Sequence, residues 1–304
     1  MSEHHWYRAF GLLIRSDLTL PEYRLAEPGD ADIVIRSGDV AREMRNRLAQ
    51  DVADIRGAHL TDRGVLLHVE RVGDFVIRDG REIFLTPLPE VEMDLLRLYL
   101  IGSVMGTLFH QRGTFILHGA AVLTPHGASA FVGPSGAGKS TLAAHLAAAG
   151  YPALADDTLP LFEQCGEVFS WPGAQVFKMW DDALQGLGKT TEDLAPVSRR
   201  YGKYFLENPL GAEDVPAKVQ EVFILEQGVE FSIHPISVID AISALNDNTY
   251  RREFIGLLGQ EQEYLKQLGR LAGAMKFYRF ARPDDAARIP ESVEVLQSHW
   301  GRIR

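Results

Sequence analysis

Basic residues are in deficit. The 304-residue chain carries 31 Lys+Arg against 41 Asp+Glu, a formal net charge of −10. A general nucleic-acid binder needs a basic footprint over the phosphate backbone, so nucleic acid is excluded as an expected partner. Cysteine is nearly absent. Cys165 stands alone, which excludes an intramolecular disulfide framework and any thiolate zinc site and fits a reducing compartment. Long hydrophobic runs are missing too. The longest, residues 95–109, is interrupted near its start by Arg97 and reads as a buried core helix, so no membrane partner is expected. Residues 1–6 are polar with no apolar h-region, and a soluble cytoplasmic protein is the expectation. There are no internal repeats or low-complexity tracts. What is present, 46% hydrophobic and 24% charged residues, is globular in composition. The length suits one large domain or two ordinary ones.

Two regions of different character divide the chain. Residues 1–110 read as β-rich, with strands over 7–14, 31–35 and 65–70. A hairpin is expected where residues 75–78 and 81–85 flank Asp79-Gly80, a strong two-residue turn signal. A helix over 91–110 follows and ends at Gly113. Residues 111–304 alternate short apolar runs with helical stretches. Strands are expected over 115–123, 128–132, 152–155 and 219–225, and a helix over 140–149 with Gly150 just beyond it. Further helices are expected over 236–245, 254–274 and 291–303. Strand, loop, helix, strand is the sequence form of a nucleotide-binding α/β core.

The loop in question is Gly133-Pro134-Ser135-Gly136-Ala137-Gly138-Lys139-Ser140-Thr141, a full match to G-x-x-x-x-G-K-[ST]. Glycines let backbone N–H groups curl around phosphate oxygens, and the helix that follows points its positive end at the anion. Lys139 would bridge the β- and γ-phosphates, and the Ser140 hydroxyl would ligate Mg²⁺. ATP and Mg²⁺ are therefore the expected cofactors. Asp156 and Asp157 stand one helix beyond Lys139, at the end of the next apolar run. In a parallel sheet, that strand end opens onto the same crevice as the loop. The pair could divide the labour, one carboxylate supporting the metal and the other accepting a proton from an attacking hydroxyl. The alternative is a solvated Asp-Asp turn. His118, upstream of the loop, lies in a strand, where a lone histidine is most often a satisfied core residue.

His118-Gly119, the loop with Leu142-Ala143, and Gly150 through Asp157 together resemble the core of the HPr kinase/phosphorylase superfamily. More narrowly, they resemble HPr-kinase-related serine kinases with a β-rich N-terminal region, such as those acting on lasso-peptide precursors. Leu20-Pro21-Glu22, residues 31–35, residues 78–83 and Gln111-Arg112-Gly113 carry the weaker N-terminal part of that likeness. The resemblance implies an α/β fold with a phosphate-loop core of the phosphoenolpyruvate-carboxykinase type. It also implies ATP-dependent phosphorylation of a serine hydroxyl on a peptide or protein. Carried over, Lys139 contacts phosphate, Ser140 and Asp156 serve the metal, Asp157 is the base, and His118 occupies an active-site position. Lys203, beside Arg199 and Arg200, is the first choice for a further cation near the transferred phosphate. A solvated charged face is the other reading of that cluster.

The chain also departs from the family pattern. Thr141 stands where the bifunctional enzymes carry glutamate, and their later glutamate-rich segment is not recognisable, with Glu192, Asp181 and Asp182 as loose substitutes. Phosphorylase activity, and HPr as the acceptor, are not expected. Residues 172–181 also resemble a family segment, in which Trp180 reads as core or as a lining of the acceptor groove, core being favoured. Residues 1–110 are expected to recognise the acceptor or to mediate homo-oligomerisation, and residues 111–304 to form the kinase domain. A small-molecule kinase acting on free serine or another metabolite, and a non-catalytic ATP-binding protein, are the alternatives.

Overall fold

Where the apolar run 7–14 predicts a single strand, the chain turns back on itself. β1 (His5–Ala9) and β2 (Leu12–Ser16) form an antiparallel hairpin. Phe10 and Gly11, at φ 57° and 71°, make its turn, and two successive positive-φ residues match the twist of the paired strands. A phenylalanine resists that conformation. Here its buried ring packs edge-on against Phe109 at 5.1 Å and Tyr23 at 6.0 Å, a burial that contributes about 2 kcal/mol and offsets the strain. The computed structural model describes residues 4–51, 56–192, 194, 196–198, 201–208 and 211–302. The chain divides into two units, Met1–Phe115 with Arg251–Tyr264, and Ile116–Tyr250 with Leu265–Arg304.

The first unit is built on one sheet. After the hairpin come β3 (Arg24–Leu25), β4 (Ile33–Ser37), α1 (Val40–Asp51), β5 (Gly57–Thr61), β6 (Gly64–Val69), β7 (Gly73–Arg78) and β8 (Glu82–Pro87). Among the described residues the strands order as β3-β1-β2-β4-β8-β7-β6-β5. Asp79 and Gly80, both at positive φ, turn β7 into β8 as expected. α1 and β5 have no counterpart among the elements expected from sequence. α1 is polar on most faces, and only Ala41 and Met44, with Leu48, pack onto Leu66, Val76 and Phe84. The helix expected over 91–110 is present as α2 (Met93–Tyr99) and α3 (Met105–Gln111), joined by a π-helical segment, Leu100–Val104. The later helix Glu253–Leu257 belongs to this unit, with Phe254 against His110 at 6.3 Å.

The second unit holds the phosphate loop. Its elements are β9 (Phe115–Thr124), β10 (Gly127–Val132), α4 (Lys139–Ala148), β11 (Ala153–Ala155), β12 (Thr158–Gln164), β13 (Glu167–Ser170), β14 (Val176–Trp180), α5 (Asp181–Gly186), β15 (Pro196–Ser198) and β16 (Tyr201–Glu207). Then come β17 (Ala217–Gln227), β18 (Ser232–Pro235) and α6 (Val238–Asp247). The helix of the first unit, α7 (Glu253–Leu257), intervenes before α8 (Glu261–Ala274), β19 (Lys276–Arg282) and α9 (Ile289–Arg302). Gly259, at φ 67°, breaks the single helix expected over 254–274 into α7 and α8.

The main sheet is mixed rather than parallel. β10, β17 and β19 run parallel, whereas β9 lies antiparallel to both β10 and β11. Because β10 and β11 flank β9 with the same sense, they are parallel to each other, and their carboxyl ends leave the sheet at one edge. The crevice expected from a parallel sheet therefore exists for a different reason. Phe131, Phe223 and Phe280, all fully buried, pack across β10, β17 and β19 beneath α4 and α9, Phe131 stacked on Phe223 and Phe280 edge-on to it. Alanines on α4 (Ala143, Ala144, Ala147) let the helix sit close to the sheet. β14, β16 and β15 form a separate three-stranded sheet. Among the described residues, no helix is long and apolar enough to cross a membrane.

Candidate active site

At the carboxyl end of β10 the chain leaves the sheet and becomes helical again at Lys139. Gly138, the residue before α4, sits at φ 79°, and a Cβ there would also collide with the Arg282 guanidinium. The left-handed φ favours glycine, and any side chain would also have to push the guanidinium aside. The loop is held from several directions. Gly133 N–H donates to Asn248 Oδ1 at 2.8 Å, and the Asn248 carbonyl accepts from His118 N–H at 2.7 Å. Arg282 Nη2 donates to Ala137 O at 2.6 Å. Lys139 Nζ folds back to donate to Gly133 O (2.8 Å) and Pro134 O (3.1 Å), which keeps its buried ammonium hydrogen-bonded. Burial lowers the Lys139 pKa, against the opposing pull of Asp157 and Asp156.

Both aspartates follow directly on β11. Asp156 is buried, not solvated. Its Oδ2 accepts from Lys178 N–H at 3.0 Å, and its Oδ1 has no hydrogen-bond partner. Burial pushes the Asp156 carboxyl up, reinforced by the charge of Asp157, with the Ser140 side chain and Lys178 acting in the other direction. Asp157, at φ 74°, is held differently. Its Oδ2 pairs with Lys178 Nζ at 2.8 Å, and its Oδ1 lies 3.2 Å from His118 Nδ1. His118 Nδ1 is also 3.2 Å from the Asp157 carbonyl, so a proton on Nδ1 is donated at this point. Burial alone would raise the Asp157 pKa, but Lys178 and then His118 hold it well below the usual carboxylate range. Lys178 itself, though desolvated, is held above its ordinary value chiefly by Asp157. His118 is half-exposed and stacks near Tyr250 at 5.7 Å, so it is not a core histidine.

These groups surround a cavity of about 340 Å³. Ser135, Gly136, Gly138, Lys139, Ser140 and Thr141 form its loop side. His118, Asp156, Asp157 and Lys178 face them. Pro134 and Ala137 line an adjoining cavity with Leu225 and Pro283, while Gly133 borders a third with Asn248. Lys203 reaches the main cavity, its Nζ 4.7 Å over the Trp180 ring, because β14 and β16 place these two residues opposite one another. Trp180 is 48% exposed, which corrects the expectation that it is core.

Of the loose carboxylate candidates, Asp182 lines the cavity, whereas Asp181 and Glu192 do not. Arg199 and Arg200 lie outside the described residues. Sequence reasoning missed Lys178, Arg282, Asn248, Asp284 and Asp285 at this site. The lysine alternates with apolar neighbours in Val176–Trp180, the one local hint that it faces away from the core. The others carry no spacing signal.

No protein-family model matches the chain, and no curated protein matches it. Neither comparison therefore carries the narrower likeness to lasso-peptide-precursor kinases. Among solved structures, the HPr(Ser) kinase/phosphatase from Coxiella burnetii is similar at 11% sequence identity. The match covers 60% of this chain and 95% of that one, with a TM-score of 0.34. That score assigns no common fold, and the functional reading rests on the residues and their geometry.

Proposed function

We propose that this chain is a Mg·ATP-dependent kinase that phosphorylates a serine hydroxyl of a peptide or protein, of the lasso-peptide-precursor type. The observation that supports this reading best is one cavity shared by the phosphate loop, the Lys139 and Ser140 side chains, and both aspartates. The first turn of α4 offers backbone N–H groups and a positive dipole end to a triphosphate. Lys139, freed from the loop carbonyls, would neutralise the phosphate oxygens.

Mg²⁺ fits the residues present. Asp156 Oδ1 is buried without a hydrogen-bond partner beside Ser140, and together they would hold the ion. Among the described residues no cluster of three or more His, Cys, Asp or Glu is poised for a metal. That suits an ion held by one or two protein groups and the phosphates themselves. When bound, it would neutralise the charge of the triphosphate.

Phosphoryl transfer asks little covalent chemistry of the protein, so orientation dominates. The acceptor oxygen forms a bond to the γ-phosphorus as the bond to the β–γ bridging oxygen breaks and ADP leaves. The acceptor proton passes to the Asp157 carboxylate. His118, bonded to that carboxylate, steadies it. Residues 1–110 either recognise the acceptor, by adding a strand at a sheet edge, or mediate homo-oligomerisation.

Two measurements test this. Asp157→Asn should keep Mg·ATP affinity within about threefold and lose transfer by about 100-fold or more; transfer near the unmutated rate removes Asp157 as the base. Labelling with γ-labelled ATP against peptides, free serine and other small hydroxyl compounds identifies the acceptor by mass spectrometry. A labelled metabolite in place of a peptide makes the protein a small-molecule kinase. Tight ATP binding with no labelled acceptor makes it a nucleotide-binding protein without transferase activity.

A further inference from the structure

Lys178 grips both aspartates at once. Its backbone N–H donates to Asp156 Oδ2 at 3.0 Å, and its side chain donates to Asp157 Oδ2 at 2.8 Å. The ammonium is only 12% exposed and lines the same cavity as the phosphate loop. β14 makes this possible. One edge of the strand is paired with β16, Lys178 standing opposite Phe205. Lys178 N–H is donated to Asp156. Residues 178 and 180 share a face of the strand, so Trp180, stacked under Lys203, comes to the cavity with the lysine.

We infer that Lys178 is the positioning residue that divides the labour of the two aspartates. Through its N–H it occupies one Asp156 oxygen and leaves Oδ1 for the metal side. Through its ammonium it occupies Asp157 Oδ2, so that Oδ1, next to His118, is the oxygen presented to the acceptor hydroxyl. Lys178 thus acts on the reaction through Asp157, not through the phosphates, which Lys139 and the α4 N-terminus already face. A buried ion pair of this kind is costly to half-remove, because the surviving charge is left without its partner. The inference rests on the kinase reading above and assigns a role to a residue that reading does not use.

The test is a kinetic cycle on the full chain. Lys178→Met removes the ammonium and keeps the backbone N–H. It should lower kcat by about 100-fold while KM for ATP and the directly measured ATP affinity stay within about threefold. Lys178→Arg, which retains the charge and a donor, should recover at least about a tenth of the unmutated kcat. In an Asp157→Asn background, Lys178→Met should cost less than about threefold more, since both act through one group. A kcat for Lys178→Met within threefold of unmutated overturns the inference, as does a further full loss in the Asp157→Asn background. Parallel loss of ATP affinity and of melting temperature, unrescued by arginine, would make the residue structural and overturns it too. If the unmutated chain binds ATP but transfers to no peptide, small hydroxyl or water, the kinase reading itself fails, an outcome distinct from these.

Discussion

At the scale of single residues, the phosphate loop is constrained more tightly than its motif requires. Gly138 must adopt a left-handed φ of 79°, and the space a side chain would take is held by Arg282, which also braces the loop through Ala137 O. The conformational demand alone costs a non-glycine residue about 1–2 kcal/mol. Gly138→Ala must therefore displace Arg282 as well. A ligand at 100 times its Kd stabilises the folded state by about 2.7 kcal/mol. The unmutated chain should show that stabilisation as a rise in Tm with Mg·ATP, and Gly138→Ala should lose most of it. An equal rise in both proteins would mean the loop tolerates a Cβ there. Cys165, exposed and alone, takes no part in any of this.

At the scale of elements, the packing of α9 on the main sheet turns on one buried carboxylate. Glu221, in the apolar strand β17, accepts from Trp300 Nε1 at 3.2 Å and Ser129 Oγ at 3.3 Å, and His299 Nε2 lies 3.2 Å from its other oxygen. Trp300 in turn packs on Tyr151, just past α4, with ring centroids 5.0 Å apart. Glu221→Ala leaves an indole N–H and a hydroxyl buried without partners, at a cost of about 2–4 kcal/mol. Glu221→Gln, which can still accept, should cost less. Urea denaturation followed by tryptophan fluorescence measures both; a midpoint for Glu221→Ala indistinguishable from unmutated would show that α9 is held by apolar contact alone. Read along the strand, Glu221 falls on the side of the buried Val219, Phe223 and Leu225, and it is α9, arriving from the far end of the chain, that supplies the donors a carboxylate on that side needs.

At the scale of the whole molecule, the two units are not two successive stretches of chain. Arg251–Tyr264 belongs with the N-terminal unit, where Phe254, Ile255 and Tyr264 are buried and Tyr264 stacks on Phe115 at 5.8 Å. A fragment of residues 116–304 would keep the phosphate loop and expose those three side chains. It should self-associate or fail to melt cooperatively, as size-exclusion chromatography with light scattering and thermal circular dichroism would report. A monomeric, cooperatively melting fragment would show that 251–264 needs no partner from residues 1–115. Charge at the cavity is mixed: Lys139, Lys178, Lys203 and Arg282 stand with Asp156, Asp157, Asp182, Asp284 and Asp285 around it.

Sequence alone determined whatever depends on near neighbours along the chain. The loop, its glycines and the start of α4 were legible because a phosphate cradle is made of consecutive backbone groups followed by a helix end. The Asp79-Gly80 hairpin and strands β9 to β11 were legible for the same reason. Local reading failed where burial decided. Phe10 takes a turn conformation because its ring finds Phe109, which is distant from it along the chain. α1 is too polar to announce the few side chains it buries. The tertiary structure alone decided which side chains meet the loop. Lys178 comes from β14, Asn248 from the end of α6 and Arg282 from the end of β19, and no spacing rule links any of them to Lys139. β9 lying between β10 and β11 brings the aspartates to the loop, the parallel run β10-β17-β19 brings Arg282, and the contact of β14 with Asp156 brings Lys178; these are choices of long-range pairing.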